Sequence, residues 1–203
     1  MPVLQLRTGV DNFSYLIYCG RTRKAAAVDP SWDAAKVLEI ISAEALTLLY
    51  VINTHHHADH VCSNQALKRA TGCRVVASEA DGRHIEGVEI LVSEGEEIQL
   101  GDVRLRFILT PGHTPGSLCI LVNNDALLTG DTLFIGDCGR TDLPGGSDLQ
   151  IFQSLQRLKS LQDHLTVYPG HDYGDVPYDT LGRQKRTNKA LLARSLEECA
   201  KIP

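Results

Sequence analysis

Residues 54–60 read Thr54-His55-His56-His57-Ala58-Asp59-His60 and follow directly on the apolar run Leu48, Leu49, Tyr50, Val51, Ile52. A short apolar run ending in polar residues predicts a buried strand that stops where the histidines begin. Four ligand-type side chains, His55, His57, Asp59 and His60, then crowd the end of that strand. Imidazole and carboxylate are the groups that hold zinc, iron and manganese, so the spacing predicts a metal site. A purely structural reading leaves three histidines and an aspartate at one strand end for no gain. Closed structural zinc recruits cysteines at short spacing, and this stretch has none.

Working outward, the same pattern recurs three times. His113 follows Ile108 and Leu109 in T-P-G-H-T-P-G, Asp131 follows Leu127 and Leu128 in L-L-T-G-D-T, and His171 follows Val167 and Tyr168 in Y-P-G-H-D-Y. In each case an apolar strand runs out into a turn with Gly or Pro and presents one ligand, which is where rigid scaffolds build sites. His56, His84 and His164 stand outside the pattern and read as solvated side chains.

Strands are expected at Leu16 to Tyr18, Ala25 to Val28, Leu48 to Ile52, Val75 to Ala77, Val103 to Leu109, Leu118 to Val122, Ala126 to Thr129 and Leu165 to Tyr168. Helices are expected near Ala34 to Ile41 and Ser63 to Ala70, from an Asp148 N-cap through Leu161, and from Lys189 to Ala200. No repeat or linker divides the 203 residues, so one domain spanning 1–203 is expected. A formal charge of -5 gives no basic stripe for nucleic acid to follow. No apolar run approaches the roughly 20 residues that span a bilayer. The amino terminus lacks a secretory pattern, so a cytoplasmic place is expected. Without an export signal, the six cysteines are expected to be free, buried thiols. Cys138, in the loop G-D-C-G-R, reads as structural although the loop could face a cleft.

The pattern H-x-H-x-D-H, followed by separate His, Asp and His motifs in that order, resembles the metallo-β-lactamase superfamily over essentially the whole chain. The resemblance implies an α/β fold, a four-layer αββα sandwich with metals at one edge of its two sheets. It also implies that His55, His57 and His113 hold one divalent cation, that Asp59, His60 and His171 hold a second, and that Asp131 bridges them. Zinc, iron and manganese all suit these ligands. Members that cleave β-lactams commonly carry Cys at the position of Asp131 and are exported; this chain departs from both, which sets antibiotic hydrolysis aside.

Within the superfamily, G-D-T-L-F-I-G-D-C-G-R and the later H-D-Y resemble glyoxalase II enzymes, which hydrolyse glutathione thioesters. That resemblance implies a glutathione conjugate as the small-molecule partner, with Arg140 and Tyr173 holding the glutathione part. It also implies a metal-bridging hydroxide as nucleophile, oriented or deprotonated by Asp59, with Asp131 as the bridge. Lys185 and Arg186 are further candidates at the substrate mouth, although two cations before a helix also read as solvated. Asp142 stands where the full-length enzymes tend to have an aromatic residue, and the chain is short for their helical carboxyl-terminal domain. G-R-T-D at 139–142 and the H-D-Y-G loop also resemble persulfide dioxygenases, in which His55, His113 and Asp131 would hold a single Fe(II) for the oxidation of glutathione persulfide. The opening segment D-N-F-S-Y-L-I, which resembles short glyoxalase II-type proteins, and the complete set of seven ligands favour hydrolysis. A nuclease of the same superfamily is disfavoured by the acidic balance.

Overall fold

The computed structural model describes residues 3–202. Six strands, β1 (Val3–Thr8), β2 (Asn12–Tyr18), β3 (Lys24–Val28), β4 (Thr47–Ile52), β5 (Arg74–Ser78) and β6 (Val88–Val92), lie side by side in chain order. The first three form an antiparallel meander, and β3 to β6 run parallel. Parallel neighbours need crossovers. These are supplied by α1 (Ala34–Ala43), the short α2 (Ala58–Val61), α3 (Asn64–Thr71) and α4 (Glu79–Gly82). A second sheet has the order β12-β11-β10-β9-β8-β7, built from β7 (Glu97–Leu100), β8 (Val103–Leu109), β9 (Leu118–Val122), β10 (Ala126–Gly130), β11 (Thr166–Pro169) and β12 (Asp179–Thr180). Its pairs are antiparallel except β10 with β11, which α5 (Asp148–Lys159) connects. Three helices, α6 (Leu181–Thr187), α7 (Lys189–Leu192) and α8 (Leu196–Cys199), close the chain.

Alternation along the strands sorts side chains into layers. From β2, Phe13, Tyr15 and Ile17 enter a core between the sheets with Ile52, Val76, Leu105, Phe107, Ile120 and Leu128. Leu16 faces the other way, into a cluster with Val37, Ile41 and Leu67 of the first helical layer. On the far side, Ile108, Leu121, Leu127 and Val167 pack against Ile151, Leu155 and Leu158 of α5 and Leu191 of α7. The four-layer αββα sandwich expected from the sequence is the fold observed.

Strand direction brings the ligand candidates together. The carboxyl ends of β3, β4, β5, β8, β10 and β11, and the amino end of β2, all open on the same edge. There the two sheets are stitched by backbone bonds from Leu118 N to Thr54 O (2.9 Å) and from Phe13 N to Gly170 O (2.8 Å).

Several expectations shift. The cap of α5 is Ser147, not Asp148, because the Ser147 hydroxyl accepts the Gln150 N–H, and the helix stops at Lys159. The expected helix from 189 to 200 is two separate turns, since Ala193 is extended at φ -54° and ψ 130°. β1, β6, β7, β12, α2, α4 and α6 were not expected from the sequence pattern. Five cysteines are free and buried as expected, but Cys62 is exposed at the end of α2. Among the described residues no helix is long and apolar enough to cross a membrane.

Candidate active site

All seven ligand candidates meet at the shared edge. Atoms of His55, His57 and His113 lie within 4.8 Å of one another, and so do atoms of Asp59, His60 and His171. Asp131 stands between the two groups. Its Oδ2 is 3.5 Å from His113 Nε2, 4.0 Å from His55 Nε2 and 3.3 Å from His171 Nε2, while Oδ1 is 3.5 Å from His60 Nε2. Asp59 Oδ2 is 3.4 Å from both His60 Nε2 and His171 Nε2.

The donor set fits divalent cations on its own geometry. His55 Nε2 and Asp131 Oδ1 are buried without any hydrogen-bond partner, a costly state for either group. His60 Nε2 and His171 Nε2 face each other at 3.2 Å, and His113 Nε2 faces His57 Nδ1 at 2.9 Å. One proton at most fits between each facing pair, so in each pair at least one nitrogen carries no hydrogen, as a metal ligand must.

The opposite nitrogens are tied down from behind, which fixes ring orientation. His113 Nδ1 meets Arg140 O at 2.8 Å, His60 Nδ1 meets Asp29 Oδ2 at 3.2 Å, His55 Nδ1 meets Thr54 Oγ1 at 3.1 Å and His171 Nδ1 meets Asp11 Oδ1 at 3.3 Å. Asn12 donates to Asp59 Oδ2 at 2.9 Å. Asp29 is the hub of this outer layer. It ends β3 at a left-handed φ of 46° and accepts from Thr54 N at 2.8 Å and Thr54 Oγ1 at 2.6 Å as well as holding His60. Asp81, in α4 just beyond β5, joins the His55–His57 loop to the His113 loop: it accepts from His56 N (2.9 Å), Thr114 Oγ1 (2.7 Å) and Gly116 N (2.7 Å). Asp29, Asp81, Asp11 and Asn12 were not singled out as site residues in the sequence. Asp29 and Asp81 follow apolar strands as the ligands do, so the signal was present but shared with ordinary turn residues.

Electrostatics separates the imidazoles. Burial, reinforced by neighbouring histidines, holds His55 well below the usual histidine value and brings His57 down to about 4, so both keep free lone pairs at neutral pH. Burial also opposes charge on His60 and His171, but the neighbouring carboxylates together outweigh it and raise both, Asp131 first, joined by Asp29 and Asp59 at His60 and by Asp59 at His171. Burial works to raise Asp131, and the surrounding imidazoles, His60 first, more than offset it, leaving the carboxylate ionised. A divalent cation would take the place of those histidine protons.

The other expectations divide. Tyr173 stacks on the His171 ring at 4.9 Å and 5°, and Arg140 and Tyr173 line a cleft of about 310 Å³ with His113, Asp131 and Phe134. The Arg140 fork is taken up by Asp142, with both bonds at 2.6 Å. Lys185 and Arg186 are not at this mouth. The Lys185 ammonium binds Leu161 O and Asp163 Oδ1, each at 2.5 Å, in the turn before β11, at the end of that strand opposite His171. Exposed Arg186 acts on the same Asp163 carboxylate, drawing its pKa down after Lys185 does. The cations near the cleft are instead Arg183 and Lys189, which line an adjoining cavity with Tyr173. His56 is half-buried 2.9 Å from Asp81 Oδ2, though off hydrogen-bond alignment, rather than freely solvated; His84 and His164 are exposed as expected. Cys138 is buried, and burial pushes its thiol up to about 12, which fits the structural reading.

A sandwich with two ligand groups and a shared carboxylate at one sheet edge defines a metal-dependent class of protein. The family described as the Metallo-beta-lactamase superfamily matches residues 7–171. Hydroxyacylglutathione hydrolase of Methylococcus capsulatus is 41% identical over 174 residues, covering 85% of this chain and 67% of that protein. The mitochondrial persulfide dioxygenase ETHE1 of Mus musculus is 32% identical over 194 residues, covering 94% and 75%. The crystal structure of ETHE1 from Myxococcus xanthus superposes with a TM-score of 0.91 at 34% identity, covering 98% of this chain and 88% of that one. The chain belongs to the metallo-beta-lactamase superfamily, in the branch that holds these hydrolases and dioxygenases.

Proposed function

We propose that the chain is a metal-dependent hydrolase that cleaves a glutathione thioester, working as one domain. The observation that carries the reading is Asp131, whose carboxylate lies within 3.3 to 4.0 Å of a nitrogen from each ligand group, the placement a bridge between two cations needs. The hydroxyacylglutathione hydrolase relatives support it. Two divalent cations held by His55, His57 and His113, and by Asp59, His60 and His171, would supply Lewis acidity and a hydroxide nucleophile at neutral pH. Asp59 would handle the nucleophile's proton: its Oδ2 lies 3.4 Å from His60 Nε2, Asn12 donates to it, and its side chain is a third exposed. Tyr173, seated on His171, and Arg140 border the space for the glutathione arm. The Arg140 guanidinium offers a charge-assisted fork for a glutathione carboxylate once it exchanges Asp142 for substrate. The departing thiol, with a pKa of about 8.5, leaves as thiolate, so the site needs no further acid.

A second reading has its own observation. His113 Nε2 and His55 Nε2 stand 3.5 and 4.0 Å from the same Asp131 oxygen, which fits two histidines and one carboxylate around a single Fe(II), and the Myxococcus xanthus structure supports it. Metal analysis of protein purified without oxygen, paired with lactoylglutathione hydrolysis and oxygen uptake on glutathione persulfide, separates the two. Two metals with thioester cleavage is the expected result. One iron with oxygen uptake refutes the hydrolase in favour of the dioxygenase.

A further inference from the structure

We infer that Trp32 and Val10 wall a subsite for the acyl arm of the thioester, and that this arm is apolar; the inference rests on the thioesterase reading. A cavity of about 510 Å³ on the amino-terminal side of the centre is lined by Gly9, Val10, Trp32, Asp59, His171 and Tyr173, among others. It shares Tyr173 with the Arg140 cleft, so the two spaces flank the ligand groups. A thioester laid across the centre therefore puts one arm in each.

The two sides differ in charge. Arg140 lines one beside Asp131 and Asp137, with Arg183 and Lys189 paired to Asp175 and Asp137 in the adjoining cavity, so that side carries charges of both signs. The other has no cation among its lining residues; its charged members besides histidine are Asp11 and Asp59. An anionic peptide arm belongs with the cations, which leaves the Trp32 side for a neutral one.

Trp32 is held there at a cost. It is 61% exposed and Val10 87% exposed, an apolar pair with no protein cover. Its backbone sits at a φ of 35°, strained for a bulky residue. The indole rests on Gly9, where an added Cβ would come 2.3 Å from Trp32 Cδ1. Its N–H donates to Asn12 Oδ1 at 3.2 Å, and Asn12 in turn donates to Asp59 Oδ2 at 2.9 Å. With its polar edge satisfied, the ring has only carbon to offer the cavity, and the chain of bonds fixes it relative to Asp59.

Trp32 is the only tryptophan in the chain, so its emission reports on the subsite directly. Metal-loaded protein is titrated with S-methylglutathione and S-hexylglutathione, thioethers that cannot be hydrolysed. A buried methylene contributes about fourfold in affinity, so partial burial of five gives S-hexylglutathione at least about a tenfold advantage, with a blue shift that S-methylglutathione does not cause. In turnover, kcat/KM for glutathione thioesters from acetyl to hexanoyl should climb with chain length. Trp32→Ala should flatten that climb, and Trp32→Phe should restore it. Equal affinity for the two thioethers, an unmoved emission, or an equal loss across the whole thioester series in Trp32→Ala overturns the subsite. Emission that shifts with protein concentration alone, showing a second copy over Trp32, overturns it too. Absence of any thioester cleavage refutes the parent reading alone, because the thioether titration reads the subsite by itself.

Discussion

Gly170→Ala tests whether the position of one carboxylate decides metal binding. Gly170 sits between β11 and His171, and a Cβ added there would lie 2.2 Å from Asp131 Oδ1 and 3.1 Å from His60 Cε1. No left-handed backbone is involved, so the substitution acts by volume alone. Bringing the 2.2 Å approach out to the 3.0 Å that real Cβ atoms keep demands a movement of about 0.8 Å. Metal–ligand distances tolerate about 0.2 Å, so Asp131 cannot stay a ligand to both groups. The expected loss is at least about 10- to 100-fold in cation affinity, the range seen when a supporting partner is removed, with turnover falling in parallel. Overpacking should also cost about 1–3 kcal/mol of stability in the metal-free protein. Affinity is read by competition with a chromophoric chelator, and stability by chemical denaturation. Gly20→Ala, where nothing lies within 4 Å, is the control. Two cations held by Gly170→Ala with native affinity would show that the Asp131 position does not matter, and the bridging argument would fall.

The Arg140–Asp142 pair predicts opposite kinetic effects. Asp142→Ala should free the guanidinium and lower KM by about threefold, whereas Arg140→Gln should raise it by about tenfold, the lower end for a lost charge-assisted bond; a rise in KM for Asp142→Ala contradicts this. Lys185→Ala should cost up to about 1 kcal/mol of stability by removing the contacts to Leu161 O and Asp163, and leave KM unchanged, checked by denaturation and steady-state kinetics. The Arg157 guanidinium holds the Glu94 carboxyl below its usual value. A depressed carboxyl contributes stability above its unfolded pKa of about 4.3 and loses it as pH falls through the folded value. Both partners are more than a third exposed, so Arg157→Gln should cost at most about 1 kcal/mol at pH 7, and the difference from native should vanish near pH 3.

The seven ligand candidates were legible because each is chemically distinctive and each follows an apolar run that ends in Gly, Pro or a polar turn. What the sequence hid has physical reasons. β6 and β7 alternate exposed and half-buried residues with few fully buried ones, so their apolar signal is weak. α6 reads L-G-R-Q-K-R-T, and its burial of Leu181, Gly182 and Gln184 depends on the rest of the second helical layer. Lys185 and Arg186 are adjacent in that helix, yet which way the helix faces is set by packing, not by charge. Asp29 looked like any aspartate before a proline. Only the fold places Thr54 and His60 against it.

The site is also more than a property of one loop. His55, His57, Asp59 and His60 leave the first sheet, while His113, Asp131 and His171 leave the second. Each ligand group therefore mixes both sheets, and its geometry is set by how the sheets sit on each other. That distance is fixed by the shared core of Phe13, Ile17, Ile52, Phe107 and Leu128, and at the edge by Asp81 reaching Thr114 and Phe13 N reaching Gly170 O. Packed interiors resist small displacements, so the core that drives folding also holds the ligand spacing. The cost of gathering four buried imidazoles and a carboxylate at the edge, His55, His60, His113, His171 and Asp131, is offset by that same apolar burial, at about 1.5–3 kcal/mol for each fully buried large side chain. Cations bound in the two ligand groups would satisfy His55 Nε2 and Asp131 Oδ1, polar atoms that the folded chain leaves unpaired at the centre.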